Sequence, residues 1–240
     1  MATDPQDRLA SITLLRDLPQ SVRHKLEKRC RWRNVAADEQ IIDRQSTSKE
    51  VYFVVEGSVR VVNYSLSGRE ITFDDIIADG HFGEMAAIDG EPRSATIEAL
   101  ENTIVAILSA KAFIAVLHEN PDLALSLMVR MSTIIRRATG RIMDLSTLGA
   151  NNRVYAEILR LAKHDVRDNN TAVIRPIPIH GDIASRVSTT RETVARVFSE
   201  LSRRDLVRRE SNALRILDMD RLTEMVEQFQ IELRVVAVKQ

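Results

Sequence analysis

Residues 81–97 read HFGEMAAIDGEPRSATI, and the rest of the chain takes its meaning outward from them. The stretch has no Walker lysine, and GHFGEM does not match GxGxxG, so nucleoside-triphosphate chemistry is not indicated. A turn at Gly83 leads into a short predicted helix over Glu84–Ile88, whose free backbone N–H groups face an anion. Arg93 supplies the neutralising charge and Ser94 a hydroxyl donor. A carboxylate would repel that anion, so Glu84 is expected to accept from a ligand hydroxyl, for example that of a ribose. One anion plus one sugar hydroxyl describes a nucleotide monophosphate.

Five of the eight glycines, Gly57, Gly68, Gly80, Gly83 and Gly90, fall between residues 57 and 90. They separate the β-rich runs VYFVV, SVRVVNY and REITFDDII, the texture of an antiparallel β-sandwich or roll. From Pro121 the pattern changes. Met128, Met131, Ile135, Ala138, Ile142 and Leu145 recur in alternating steps of three and four, a coiled-coil seam on roughly 40 Å of helix. Arg130, Arg136, Arg137 and Arg141 flank a narrow apolar stripe, which favours self-pairing over a helix laid on its own domain. The run GANNR after Leu148 marks a hinge. Beyond it come a helix in VYAEILRLAKH, a polar turn (RDNN) and a β-leaning run with Pro176 and Pro178.

Residues 181–207, GDIASRVSTTRETVARVFSELSRRDLV, hold two helical patterns separated by a tight turn. Ile183, Ala184 and Val187 are the core positions of the first helix, Val194, Phe198 and Leu201 those of the second. Thr189 followed by Glu192 matches a capping box that starts the second helix. The other face of that helix carries Arg191, Glu192 and Arg196 at its N-terminal end, where a recognition helix meets the major groove. Arginine grips guanine with two parallel hydrogen bonds and glutamate accepts from the cytosine amino group, so a G·C-containing half-site is expected. LVRRESNALRIL then reads as a β-hairpin wing with an SN turn, its Arg208 and Arg209 able to touch phosphates.

The 240 residues and 27.1 kDa accommodate two modest domains. Net charge is zero, yet residues 1–150 carry 18 Lys+Arg against 21 Asp+Glu and residues 151–240 carry 16 against 13, a basic C-terminal part beside an acidic N-terminal one. The single cysteine, Cys30, excludes an internal disulfide or a Cys-rich cluster within one chain. His24, His81, His118, His164 and His180 show no paired-ligand spacing. No metal, iron–sulfur cluster or haem is expected, and no enzyme nucleophile with its base stands out. Without an apolar span or signal peptide, a cytoplasmic protein with no membrane partner is expected.

FGEMAAIDGEPRSATI resembles the phosphate-binding cassette of cyclic-nucleotide-binding domains. Together with the long helix and TTRETVAR, the chain is similar to the CRP/FNR (catabolite activator) family of transcription regulators from about residue 12 to residue 217. The implied fold is α+β: an N-terminal antiparallel β-roll of the cyclic-nucleotide-binding jelly-roll type over residues 1–120, a long dimerisation helix and hinge over 121–149, and a C-terminal winged helix-turn-helix with an extension over 150–240. By this resemblance Gly83 and Ala86 present backbone amides to a cyclic phosphate, with Met85 between them. Glu84 holds the ribose 2′-hydroxyl, Arg93 pairs with the phosphate, and Ser94 bonds phosphate or base. Thr139 reaches the purine near the subunit interface. Thr190, Arg191, Glu192, Arg196, Arg208 and Arg209 form the DNA face, with a TGTGA half-site, and Met128, Met131, Ile135, Ala138, Ile142 and Leu145 the homodimer interface.

The implied effector is cAMP or cGMP, and the implied partners are double-stranded DNA with a palindromic operator, RNA polymerase and a second copy of the chain. Ala138 stands where the best-known cAMP-responsive member has a second hydroxyl residue. Ser188 replaces the usual turn glycine, which costs roughly 1 kcal/mol if it is left-handed. Two alternatives remain: a regulator whose DNA binding ignores cyclic nucleotide or answers another effector, and a nucleotide-binding signalling subunit acting on a protein partner. MDRLTEMVEQFQIEL, within residues 218–240, predicts an extra helix.

Overall fold

The glycine-punctuated segment forms two four-stranded antiparallel sheets in the computed structural model, which describes residues 7–167 and 169–226. The strands are β1 (Arg31–Val35), β2 (Gln40–Ile42), β3 (Val51–Glu56), β4 (Ser58–Tyr64), β5 (Glu70–Ile77), β6 (His81–Phe82), β7 (Thr96–Ala99) and β8 (Thr103–Leu108). One sheet runs β1-β8-β3-β6 and the other β2-β7-β4-β5. Helix α1 (Gln20–Glu27) precedes them, α2 (Glu84–Asp89) joins β6 to β7, and α3 (Ala110–Glu119) follows β8.

The run VYFVV is apolar throughout because β3 is covered on both faces. Successive side chains of a strand point opposite ways. Tyr52 and Val54 enter a core with Val59, Phe82, Ile97 and Val105, whereas Val51 and Phe53 enter a second core with Leu108, Phe113, Leu123 and Leu127. The cassette helix therefore hangs from a strand that is fixed from two sides.

Helix α4 (Pro121–Thr147) begins at a proline, which is suited to the first helical position because its missing N–H would be unpaired there. Leu123 and Leu127 are buried, and Met131 packs against that same core instead of standing free in the seam. Met128, Ile135 and Ile142 remain 56%, 63% and 64% exposed. Val129 and Met143 are exposed as well, so the apolar surface of α4 is broader than the narrow stripe expected from spacing.

The chain divides into two compact units, Met1–Ile134 and Ile135–Gln240. In the second, α5 (Ala150–Ala162), β9 (Val166–Arg167), β10 (Thr171–Ile174), α6 (His180–Arg186), α7 (Arg191–Arg203), β11 (Val207–Glu210) and β12 (Ala213–Ile216) form a winged helix-turn-helix with sheet order β11-β12-β10-β9. Val154, Ile158, Ile183, Val194, Leu201, Leu214 and Ile216 make its core. Met219, Leu222 and Val226, in a helical stretch at 219–226, close it, while the rest of the expected C-terminal helix lies outside the described residues.

The break expected over GANNR is shorter than its composition suggests. Only Leu148 and Gly149 separate α4 from α5, and both asparagines lie in the first turn of α5. Arg153 explains the tight joint: Nη1 donates to the Leu148 carbonyl at 2.9 Å, Nε to Val187 at 2.8 Å and Nη2 to Ser188 at 3.0 Å. Among the described residues no single helix is long and apolar enough to cross a membrane.

Candidate functional site

The cassette is assembled where β6 ends. Phe82 stacks on Tyr52 with ring centroids 4.9 Å apart, which fixes the chain just before the turn. Gly83 then takes φ +84, a left-handed conformation that L side chains rarely adopt, and α2 starts one residue later. A Cβ at Gly83 would lie 2.7 Å from Nη1 of Arg93 and 2.8 Å from the Glu50 carbonyl oxygen. Glycine is needed here both for the turn and for the approach of the arginine.

Arg93 is 4% exposed. Its Nη1 donates to Gly83 O at 2.9 Å, Nη2 to Glu50 O at 2.9 Å and to Ser48 Oγ at 3.0 Å, and Nε to Ser48 Oγ at 3.2 Å. Four of the five guanidinium N–H groups are thus committed, leaving one on Nη1 for a ligand. Burial lowers the Arg93 pKa, opposed by Tyr52, Glu50 and Glu84.

Glu84 is 6% exposed, and burial raises its pKa; its own backbone N–H, Arg130 and Arg93 pull the other way. Ala86 is buried, Met85 is exposed, and exposed Ser94 donates its hydroxyl to the Met85 sulfur at 3.8 Å. The structure thus brings Gly83, Glu84, Met85, Ala86, Arg93 and Ser94 together. It adds residues the sequence did not single out: Ser48 and Glu50 behind Arg93, and Lys49, whose Nζ donates to the carbonyls of Gly90 and Glu91. Their local sequence, STSKE, is an ordinary polar loop and gives no signal of this role.

Thr139 belongs to the second unit, is exposed, and donates its hydroxyl to the Ile135 carbonyl at 2.9 Å. Met128 lies in the first unit, whereas Ile135, Ala138, Ile142 and Leu145 lie on the exposed part of α4 in the second.

On the helix-turn-helix, the expected cap is displaced by one residue. Thr190, not Thr189, is the N-cap of α7: its side chain accepts from the Thr193 N–H at 3.3 Å, and its backbone is extended. The turn runs one residue longer because Ser188 is left-handed at φ 53 and the Thr189 N–H still closes onto Ala184 O at 3.0 Å. Thr189 is buried there. Ile183, Ala184, Val187, Val194 and Leu201 are core as expected, while Phe198 is half-buried and packs against the His180 ring, centroids 4.9 Å apart.

Thr190, Arg191, Glu192 and Arg196 are all exposed along the start of α7. Arg191 lies over Gly181, where an added Cβ would meet its Nε at an ordinary contact of 3.5 Å. The Glu192 pKa is lowered, by its own backbone N–H and then by the Thr190 hydroxyl, which keeps it a charged acceptor. Arg196 Nη2 lies 3.3 Å from Thr193 Oγ1. Arg208 and Arg209 are exposed on β11, and the Ser211–Asn212 turn joins β11 to β12 as read from the sequence. Among the described residues no group of three His, Cys, Asp or Glu could hold a metal ion.

A family model described as a cyclic nucleotide-binding domain matches residues 32–120, and one described as a Crp-like helix-turn-helix domain matches residues 152–225. The chain is 31% identical over 158 residues to the cyclic AMP receptor protein of Thermus thermophilus, covering 66% of this chain and 70% of that one. It is 25% identical over 168 residues to the cAMP-activated global transcriptional regulator CRP of Escherichia coli, covering 70% and 80%. A solved CooA mutant from Carboxydothermus hydrogenoformans shares the fold, with TM-score 0.75 at 18% identity over 84% of this chain and 90% of that one.

A cyclic-nucleotide-binding domain followed by a winged helix-turn-helix defines a DNA-binding transcription regulator rather than an enzyme. The chain belongs to the CRP/FNR family.

Proposed function

We propose that this regulator is a homodimer whose affinity for a palindromic operator with TGTGA-type half-sites is raised by a cyclic nucleotide, cAMP ahead of cGMP. The observation that carries the effector is Glu84. A carboxylate 6% exposed is costly to keep unless something uses it, and the hydroxyl of a ribose is the partner the cassette offers. Thr139 supports adenine. Its hydroxyl hydrogen is committed to Ile135, leaving lone pairs that accept from adenine's amino group and repel guanine's carbonyl. Homodimerisation is supported by the exposed Met128, Ile135, Ile142 and Leu145, an apolar surface that a second copy of α4 would cover. Two recognition helices about 34 Å apart would then address successive major grooves.

The test is fluorescence anisotropy of a labelled TGTGA-N6-TCACA duplex, titrated with the protein alone and with saturating cAMP or cGMP at one fixed salt concentration. The expected result is tighter binding with cAMP than with cGMP, and weakest binding without either. One observation favours a second reading, DNA binding independent of nucleotide: Arg93 already has four donors engaged within the protein. Equal affinity in all three titrations would establish that alternative and remove cyclic-nucleotide control.

A further inference from the structure

Arg93 offers a ligand one N–H, and a loop outside the cassette sets that number. Residues 43–50 connect β2 to β3. Within them Ser48 Oγ accepts from both Nε and Nη2 of Arg93, at 3.2 and 3.0 Å. A guanidinium grips a phosphate most firmly with two parallel N–H groups on two oxygens. Ser48 occupies the Nε–Nη2 edge, and the carbonyls of Glu50 and Gly83 take one further N–H each on Nη2 and Nη1. A single free N–H cannot make the two-pronged grip.

The Ser48 oxygen is itself held in place. Both of its lone pairs are taken by Arg93, so in its 3.2 Å contact with Ser46 Oγ it is Ser48 that donates. Ser46 closes a turn, its N–H donating to Asp43 O at 2.9 Å. Lys49 Nζ donates to the carbonyls of Gly90 and Glu91, which ties the loop to the segment carrying Arg93. The hydroxyl pair therefore stands on an anchored loop.

One neighbour shows what this pair prevents. Glu50 Oε2 is buried with no hydrogen-bond partner among the described residues, and it lies 3.7 Å from Arg93 Nη2, too far for such a bond. Without the Ser48 oxygen, Nη2 has this carboxylate to turn to, and the turn would carry Nη1 away from its present direction.

We propose that the Ser46–Ser48 pair positions Arg93 for effector binding, so that a cyclic phosphate meets a single N–H on Nη1 and is recognised through one of its two exocyclic oxygens. This rests on the cyclic-nucleotide reading of the cassette and deepens it. A donor fixed in direction tells the two oxygens of a bound cyclic phosphate apart, whereas a guanidinium free to turn serves either.

The test is calorimetric titration of cAMP and of its two phosphorothioate diastereomers, in which sulfur replaces one exocyclic oxygen or the other. The proteins are the wild type, Ser48→Ala, Ser48→Thr and Ser46→Ala. Sulfur is the poorer acceptor, so the diastereomer that keeps oxygen opposite Nη1 should bind the wild type about tenfold more tightly than the other. Ser48→Ala should reduce that ratio to about twofold or less, and Ser48→Thr, which keeps the hydroxyl, should preserve it. Ser46→Ala, which removes the acceptor for Ser48, should lower it to about threefold. A serine that only supported the fold would weaken all three ligands alike and leave the ratio unmoved.

A wild-type ratio near one would overturn the proposal, and so would a ratio that Ser48→Ala leaves at its wild-type value. If Ser48→Ala does not fold, Ser46→Ala decides, because Ser46 touches Ser48 and makes no bond to Arg93: a lowered ratio sustains the proposal and an unchanged one ends it. Failure of the wild-type protein to bind cAMP or either phosphorothioate would instead remove the cyclic-nucleotide reading, and the proposal with it, before any variant is compared.

Discussion

Substituting alanine for Gly83 makes two demands on the cassette at once. The backbone sits at φ +84, where an L side chain costs about 1–2 kcal/mol. The new Cβ also lies 2.7 Å from Arg93 Nη1, so the guanidinium must withdraw from its 2.9 Å bond to Gly83 O. Loss of a hydrogen bond from a buried charged donor adds about 1.5–3 kcal/mol, for a total of about 3–5 kcal/mol. Gly90 provides the control, because at φ +74 it carries similar backbone strain with nothing within 4 Å of the Cβ position. Gly90→Ala should therefore cost only about 1–2 kcal/mol. At about 3–4 °C per kcal/mol, thermal melts should separate the two variants by roughly 6–10 °C. Calorimetric melts of the pair, followed by nucleotide titration, provide the assay, and affinity should fall in Gly83→Ala alone. Coincident melting of the two variants would refute the steric part of the reasoning, including the role assigned to the Arg93–Gly83 contact.

Thr190→Ala should destabilise the DNA-binding unit by about 1 kcal/mol through loss of the α7 cap, and Thr190→Asn should restore most of it; indistinguishable urea unfolding of these two variants would rule out the cap. Asp7 and Arg23 form a 2.7 Å ion pair with both side chains largely buried. Arg23→Met should cost about 3–5 kcal/mol near neutral pH by leaving the carboxylate unpaired. The Arg23 hydrogen bond depresses the Asp7 pKa, so the stability it contributes is fully present above the unfolded value of about 3.9 and is lost as pH falls through the folded one. The melting difference between Arg23→Met and wild type should accordingly shrink below about pH 4, and a difference that stays constant with pH would exclude the ion pair as its cause.

The readily legible features are those whose chemistry is local. Gly83, Glu84, Arg93 and Ser94 lie within one turn and one loop, and TTRETVAR places its polar face on consecutive turns of a single helix. The β-roll was legible from glycine spacing, because a turn interrupts the alternation of a strand wherever it occurs. The cap of α7 was misassigned by one residue because Thr189 and Thr190 are chemically equivalent, and the choice depends on Ser188 turning left-handed. Cys30 is half-buried, and burial raises its thiol to about 12, so it packs as an apolar residue.

By itself the amino-acid order determined the succession of roll, long helix and winged helix, the ligand-facing cassette and the exposed residues of the recognition helix. Those depend on periodicity, on turn chemistry and on residue types close together in the chain. Only the tertiary structure decided that Arg93 is gripped by Ser48 and Glu50 and that Arg153 clasps the helix-turn-helix turn. Each of these joins residues more than 30 positions apart. Burial sets how much each polar atom needs a partner, and burial is a property of the packed chain that local sequence does not encode.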